Sequence, residues 1–155
     1  MAIKQLIWRL ILPLTIVSFG TFTKWWYVLP VDAPDTMMIG FPLAFVSEGW
    51  ATSMSLQIFV LELVFDFLIY FLFWFLLIVL INRYLAHAKV PRVLTGILWT
   101  LATFIIAIAI WVASLPEQSI DIKRDWDMQV MVTGYKLTWM NQDRPDFARY
   151  YPNKK

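Results

Sequence analysis

Glu62 and Asp66 are the two residues of this sequence whose type and spacing could support chemistry. They lie four positions apart in a long apolar stretch, so a helix would place both on one face, with Tyr70 one turn further on. Counting about 28 Å of hydrocarbon back from Ile81 places the membrane boundary near Leu63. Asp66 would then lie about one turn inside, where a charge costs on the order of 2–3 kcal/mol. We therefore expect Asp66 to be partnered or protonated.

Lys24 is the partner that the sequence suggests, because it closes the first apolar stretch at the same predicted level of the membrane. A structural ion pair of Lys24 with Glu62 and Asp66 is the simplest interpretation. A proton- or cation-handling site that includes Tyr70 is the functional alternative, since carboxylates inside membranes mark such paths. Contact with another subunit is a third. Below Tyr70 the same face is apolar, so this chain would supply at most the outer mouth of a path.

No other residue pattern indicates catalysis or a bound cofactor. The chain has no cysteine and a single histidine, His87, which the predicted topology places across the membrane from the carboxylates of the outer segments. Metal sites need several converging ligands, and phosphate binding needs a Gly-rich loop that this sequence lacks. The net charge of +2 gives no electrostatic case for nucleic acid as a partner. We predict a protein that is not an enzyme and has no catalytic, cofactor-binding or metal-binding residues.

The composition indicates an integral membrane protein. Of the 155 residues, 60% are hydrophobic and 15% are charged, whereas soluble domains have about 45–50% and about 25%. A soluble fold of this size could not bury so many apolar side chains.

The first transmembrane helix is predicted within residues 1–29. Its apolar stretch runs from Leu6 to Phe22, and the aromatic run at 25–27 reads as an interfacial belt. A basic start followed by an apolar run also fits a signal peptide, but no small-x-small cleavage site follows it. We therefore expect an uncleaved anchor.

The second and third transmembrane helices are predicted at residues 56–82 and 93–115. The third has no charged residue and lies between Pro91 and Pro116, which suits helix ends. It also carries small residues spaced four apart, a pattern that either lets helix backbones approach closely or simply reflects common usage in spans. These small residues are Gly96, Thr100, Thr103, Ala107, Ala109 and Ala113.

The segments between the helices predict the orientation. The loop at 83–92 has basic residues and no acid, whereas the loop at 30–55 is acidic, so the positive-inside rule places the first in the cytoplasm. The N-terminus is then inside and the tail at 116–155 outside. The apolar segment at 41–46 is too short to span, so we expect it at the interface, tucked against the helices or on a partner. A bacterial cytoplasmic (inner) membrane is the expected location.

The outer tail contains one stretch that reads as extended chain. Apolar and polar residues alternate from Met128 to Trp139, which predicts a hairpin turning at Gly134 or a single strand with a bulge there. Such an element is marginal in water unless it packs on something. We expect the tail to contact a partner through its apolar and aromatic residues, namely Tyr135, Leu137, Trp139, Phe147, Tyr150 and Tyr151.

The sequence as a whole therefore predicts an all-α integral membrane protein with three transmembrane helices and a short tail that holds a strand or hairpin. Three helices are too few to enclose a substrate path, and the loops are too short for a catalytic domain. The predicted function is an accessory or scaffolding subunit of a larger multi-subunit membrane complex. Its partners would be lipid, other integral membrane subunits and an extracytoplasmic protein surface. The alternative is a homo-oligomeric proton or cation channel or transporter that uses Glu62 and Asp66.

Overall fold

The structure is a computed structural model that describes residues 3–31, 34–49, 55–84 and 90–146. The chain divides into two compact units. The helical unit consists of residues 1–21 and 67–115, and the sheet unit consists of residues 22–66 and 116–155.

Three helices in the described residues are long and apolar enough to cross a membrane: Ile3–Thr21, Val60–Tyr84 and Arg92–Ala113. At about 1.5 Å per residue each approaches or exceeds the ~30 Å hydrocarbon core. The first contains a π-helical turn at Ile7–Ile11. This finding supports the prediction that the chain associates with a membrane through three candidate spans.

The expectation of an all-α fold is wrong, because the sheet unit contains a six-stranded mixed sheet. The strands are β1 (Phe22–Pro30), β2 (Thr36–Ile39), β3 (Val46–Glu48), β4 (Leu56–Phe59), β5 (Ser119–Asp121) and β6 (Met128–Leu137). Their order across the sheet is β5-β4-β3-β2-β1-β6. All neighbours are antiparallel except β4 and β5, which run parallel.

Strand β1 accounts for much of the difference between the prediction and the structure. Its residues are rich in aromatic and β-branched side chains, which favour strands over helices. Trp25, Trp26 and Tyr27 therefore lie in a strand that follows the first helix and do not form an aromatic belt on that helix. Residues 56–59, predicted to begin the second helix, form β4, and the helix begins at Val60.

The tail strand is ordered by its own chain. Strand β6 is a single strand that pairs with β1 along its whole length, from Phe22 opposite Leu137 to Pro30 opposite Met128. The register shifts between Tyr27 and Val28, so the irregularity does not lie at Gly134. The glycine is needed there for another reason. A Cβ at Gly134 would overlap the indole of Trp25, which faces it across the strand pair.

One hydrophobic cluster forms a core in the sheet unit. Val28, Met38, Ala44 and Phe59 are buried together there. The half-buried residues Trp26, Trp126 and Met128 cover them, and Trp126 meets Phe59 edge to face at 6.1 Å.

In the helical unit, the first helix packs against both of the others. Gly20 lies against Ile105 of the third helix so closely that a methyl group would overlap that side chain. At the other end, the indole N–H of Trp99 donates to the carbonyl of Trp8 at 3.0 Å. Contacts with the second helix use long side chains, since Leu6 and Ile11 are buried against Ile78.

Candidate functional site

The two carboxylates singled out in the sequence lie in the first two turns of the second helix, and both are held by backbone groups. Asp66 is fully buried, with no exposed surface. Its Oδ1 accepts a hydrogen bond from the backbone N–H of Leu43 at 2.9 Å. Its Oδ2 is buried and has no hydrogen-bond partner among the described residues.

Gly40 gives the loop that reaches Asp66 its shape. Its φ of 151° lies in the region that residues with side chains rarely adopt, and a Cβ there would overlap the carbonyl oxygen of Leu43. The Gly40 N–H donates to the carbonyl of Lys24 at 2.9 Å, which ties the loop to β1. The loop is thereby shaped to present the Leu43 N–H to the helix.

Glu62 holds a second loop in a similar way, one turn earlier on the helix. Its Oε1 accepts a hydrogen bond from the backbone N–H of Arg124 at 3.2 Å. The backbone N–H of Leu61 donates to the carbonyl of Ile122 at 2.9 Å, so the same loop is fixed twice. The Oε2 of Glu62 is buried and, among the described residues, has no hydrogen-bond partner. Each carboxylate thus keeps one oxygen that no described donor satisfies.

Lys24 and Tyr70 do not join this arrangement. The Lys24 ammonium lies over the ring of Trp26, 3.7 Å from its centroid, in a cation–π contact along β1. The described residues form two salt bridges, and both belong to Arg144. Tyr70 is nearly buried and meets Phe19 edge to face at 5.4 Å. The structure brings Glu62 and Asp66 together with two loops and places Lys24 elsewhere.

The groups that the sequence reading missed are backbone N–H groups. Every residue except proline carries one, so the sequence gives no signal that those of Leu43 and Arg124 face carboxylates. The only hint was the apolar segment at 41–46, which was expected at the interface or against the helices.

A second polar cluster fastens the chain beyond β6 onto the sheet. The Tyr27 hydroxyl donates to Asp35 Oδ2 at 2.9 Å, and Arg144 lies 3.8 Å from the same oxygen. Arg144 also binds Glu48, whose Oε2 accepts from the Met37 backbone N–H at 3.4 Å. Burial and the hydrogen bond to Asp35 together raise the pKa of Tyr27 to about 12.

The tail residues predicted to contact a partner have exposed side chains. Tyr135, Leu137 and Trp139 are 60%, 36% and 67% exposed. Tyr135 also stacks on Phe22, with ring centroids 5.6 Å apart, and meets Phe41 edge to face at the same distance. The remaining predicted contact residues, Phe147, Tyr150 and Tyr151, lie outside the described residues, as does His87.

A cavity of about 400 Å³ opens in the sheet unit. Its walls bring two carboxylates together with hydroxyl, amide and indole groups, and none of its lining residues is a histidine or a cysteine. The lining residues are Gly49, Ser55, Gln57, Glu117, Ser119, Asp125 and Trp126. No three His, Cys, Asp or Glu side chains in the described part of the chain converge in a way that could hold a metal ion. The arrangement is an open cleft with polar groups in its walls.

The third helix presents a stripe of small residues that the helical unit leaves uncovered. Gly96, Thr100, Thr103 and Ala107 are all exposed and lie about 120° round the helix from Ala102, which is buried. An added Cβ at Gly96 would meet nothing within 4 Å. The two threonine hydroxyls donate to carbonyls of their own helix, at 3.0 Å to Gly96 and 2.8 Å to Trp99. The surface of the stripe therefore consists of methyl groups and, at Gly96, of exposed backbone.

Comparison with known proteins found no matching family model, no similar curated protein and no similar solved structure.

Proposed function

We propose that this protein is a non-catalytic accessory or scaffolding subunit of a larger membrane protein complex. The observation that carries the proposal is the exposed small-residue stripe at Gly96, Thr100, Thr103 and Ala107. Lipid tails do not require small residues, whereas close helix–helix contact in a membrane does. An interior glycine also lowers the helix propensity by about 1 kcal/mol relative to alanine, so a helix that faced lipid alone would gain nothing from Gly96.

The described contacts of this chain leave the stripe available for a neighbour. The first helix packs on the third through Gly20, Ile105 and Ala102, on a different side from the stripe. The threonine hydroxyls of the stripe already have acceptors, so a neighbouring helix could approach without leaving polar groups unsatisfied. We therefore place the helix of a partner subunit along this stripe.

The proposed setting follows the charge distribution. The positive-inside rule favours an orientation with the N-terminus and the 83–92 segment in the cytoplasm and the sheet unit outside. The proposed location is a bacterial cytoplasmic membrane. Lipid and other integral membrane subunits are the proposed partners. An extracytoplasmic protein surface is supported less, because β6 obtains its order from β1.

Matched substitutions at adjacent positions test the stripe. Ala107→Phe enlarges the stripe, whereas Ile108→Phe enlarges the exposed face about 100° away. Each variant is purified from its source membrane in mild detergent, and co-purifying membrane proteins are identified by mass spectrometry. We expect Ala107→Phe to lose the partners that the wild type and Ile108→Phe retain. Purification of the wild type alone, or retention of its partners by Ala107→Phe, would refute the proposal.

A second candidate function is a homo-oligomeric proton or cation channel or transporter. It is favoured by one specific observation, the buried Oδ2 of Asp66 and Oε2 of Glu62 that have no hydrogen-bond partner within the described ranges. A bound cation would coordinate these oxygens, and a bound proton would remove the charge of a buried carboxylate. The two functions differ in stoichiometry, because the channel requires a ring of identical chains. Reconstitution of the purified protein in liposomes, with Asp66→Asn as the control, should then give an ion flux that the variant lacks.

A further inference from the structure

One end of the sheet unit carries a patch of apolar and aromatic side chains drawn from three segments of the chain. We call it the interfacial patch. Its members are at least partly exposed, and Trp139 is 67% exposed. They are Phe22, Phe41, Leu43, Tyr135, Leu137 and Trp139.

Strand pairing and ring contacts hold four members of the patch together, and the other two lie two positions along the chain, Leu43 after Phe41 and Trp139 after Leu137. Phe22 lies opposite Leu137, and Lys24 lies opposite Tyr135, so Phe22, Leu137 and Tyr135 share one face of the sheet. The rings of Phe22 and Tyr135 stack within 15° of parallel, and Phe41 meets Phe22 edge to face at 6.5 Å. Phe22 and Tyr135 are nevertheless 40% and 60% exposed.

Covalent geometry fixes the depth of one member of the patch. Thr21 is the last residue of the first candidate span, and Phe22 follows it directly. Consecutive Cα atoms are about 3.8 Å apart, so Phe22 cannot be far from the level at which that span ends. The pairing with β6 then brings Leu137 to the same end of the sheet.

A hydrogen bond fixes the depth of another member independently. The backbone N–H of Leu43 donates to Asp66, which lies in the second turn of the helix that begins at Val60. Six residues of helix rise about 9 Å. Leu43 therefore reaches a level inside the second candidate span.

We propose that the interfacial patch docks into the lipid headgroup and upper acyl region of the bilayer, as a lateral anchor for the sheet. Tyrosine and tryptophan rings favour this region because each has an apolar body and a polar tip, whereas phenylalanine and leucine extend into the acyl chains. An exposed apolar patch alone would suit a protein partner as well as a lipid surface. The two depth constraints select the lipid. The inference uses different residues from the stripe on the third helix and does not depend on the proposed function.

Site-directed spin labelling of the full chain tests this inference directly, because the sequence has no cysteine to remove. Single cysteines replace Trp139, Tyr135 and, as a control, Val31, which is 76% exposed and follows the opposite end of β1. Each labelled protein is reconstituted as one copy per nanodisc of phosphatidylcholine and phosphatidylglycerol. Collision with oxygen, which concentrates in lipid, is compared with collision with a water-soluble nickel chelate.

We expect the labels at Trp139 and Tyr135 to collide more with oxygen than with nickel, and the label at Val31 to show the reverse. Nickel-dominated collision at all three positions would overturn the inference. A second result would also overturn the inference. If the Trp139 label loses its collisions with both reagents only when two copies share a disc, the patch binds a second copy of the chain. Circular dichroism of each labelled protein confirms that the fold is retained, so that every outcome can be interpreted.

Discussion

The carboxylate of Asp66 accepts a hydrogen bond from the backbone N–H of Leu43, which lies 23 positions earlier in the chain and 2.9 Å away. This contact, within the sheet unit, joins a loop to the start of a candidate membrane-spanning helix. Because the donor is a backbone group, any side chain at position 66 that offers an acceptor at the same place can replace the carboxylate.

We therefore predict that Asp66→Asn retains most of the stability of the wild type, whereas Asp66→Ala lowers it. Alanine removes the acceptor of this partly buried hydrogen bond from the Leu43 N–H, which costs about 1–3 kcal/mol. Denaturant unfolding in detergent, followed by circular dichroism, measures the difference. Equal stability of the two variants would show that the hydrogen bond to Leu43 contributes little.

Lys24 and Asp66 should contribute to stability independently. The Lys24 ammonium lies over Trp26, so Lys24→Met removes a cation–π contact of about 0.5–1 kcal/mol and leaves Asp66 unaffected. In a double-mutant cycle with Asp66→Asn, the two effects should add to within about 0.5 kcal/mol. A larger coupling energy would contradict this prediction and support the ion pair that the sequence suggested.

Because of Tyr27, we predict that the free energy of unfolding falls at high pH. Its pKa is raised to about 12 in the folded protein, against about 10 for an unperturbed tyrosine. Between these two values the folded state holds a proton that the unfolded state releases, so the free energy of unfolding falls as the pH rises. The contribution of Tyr27 is complete below pH 10 and lost above pH 12. Unfolding of the wild type and Tyr27→Phe across this window measures it, and parallel curves would contradict the prediction.

We predict that substitution by alanine has opposite effects on stability at two glycines. Gly134→Ala should destabilise the protein by about 1–3 kcal/mol, because the new methyl group overlaps the indole of Trp25. Gly96→Ala meets nothing and should be neutral or stabilise the isolated chain by up to about 1 kcal/mol. Trp25→Ala should partly relieve the effect at Gly134 and leave that at Gly96 unchanged. Thermal unfolding of the purified variants compares them.

The proposed topology predicts opposite labelling of two exposed positions. Tyr84 ends the second helix and Ser119 begins β5, and both are exposed. With single cysteines at these positions, a membrane-impermeant maleimide added to spheroplasts should label Ser119→Cys, and Tyr84→Cys should react only after the membrane is opened. Labelling of both from one side would contradict the predicted orientation.

The helices could be predicted from the sequence because their signal is local. Each is an apolar stretch long enough to span, and nothing elsewhere in the chain is needed to recognise it. Strand β4 was missed because it runs directly into the second helix. Three of its four residues are apolar, so no local signal separates it from the longer apolar stretch that follows. The alternation of apolar and polar residues from Met128 did predict the tail strand. The sequence pattern did not identify β1 as the strand that pairs with it.

The candidate site could be predicted only in part, for a related reason. The spacing of Glu62 and Asp66 is visible in the sequence, and the structure places them on the same helix. The pairing with Lys24 assumed that Lys24 closes a helix, whereas it lies in β1 and its side chain follows the sheet face towards Trp26. The backbone donors at Leu43 and Arg124 are set by the loop conformations, which no local pattern specifies.

The pairing of β1 with β6 has a consequence for synthesis on the ribosome. Strand β1 ends at Pro30, whereas its partner begins at Met128, after the second and third helices. At about 5–20 residues per second, one edge of β1 remains unpaired for on the order of ten seconds while the intervening chain is made. Unpaired strand edges invite pairing with other chains. The nascent protein is therefore most prone to aggregation, and most dependent on a chaperone, in the interval between the emergence of β1 and that of β6.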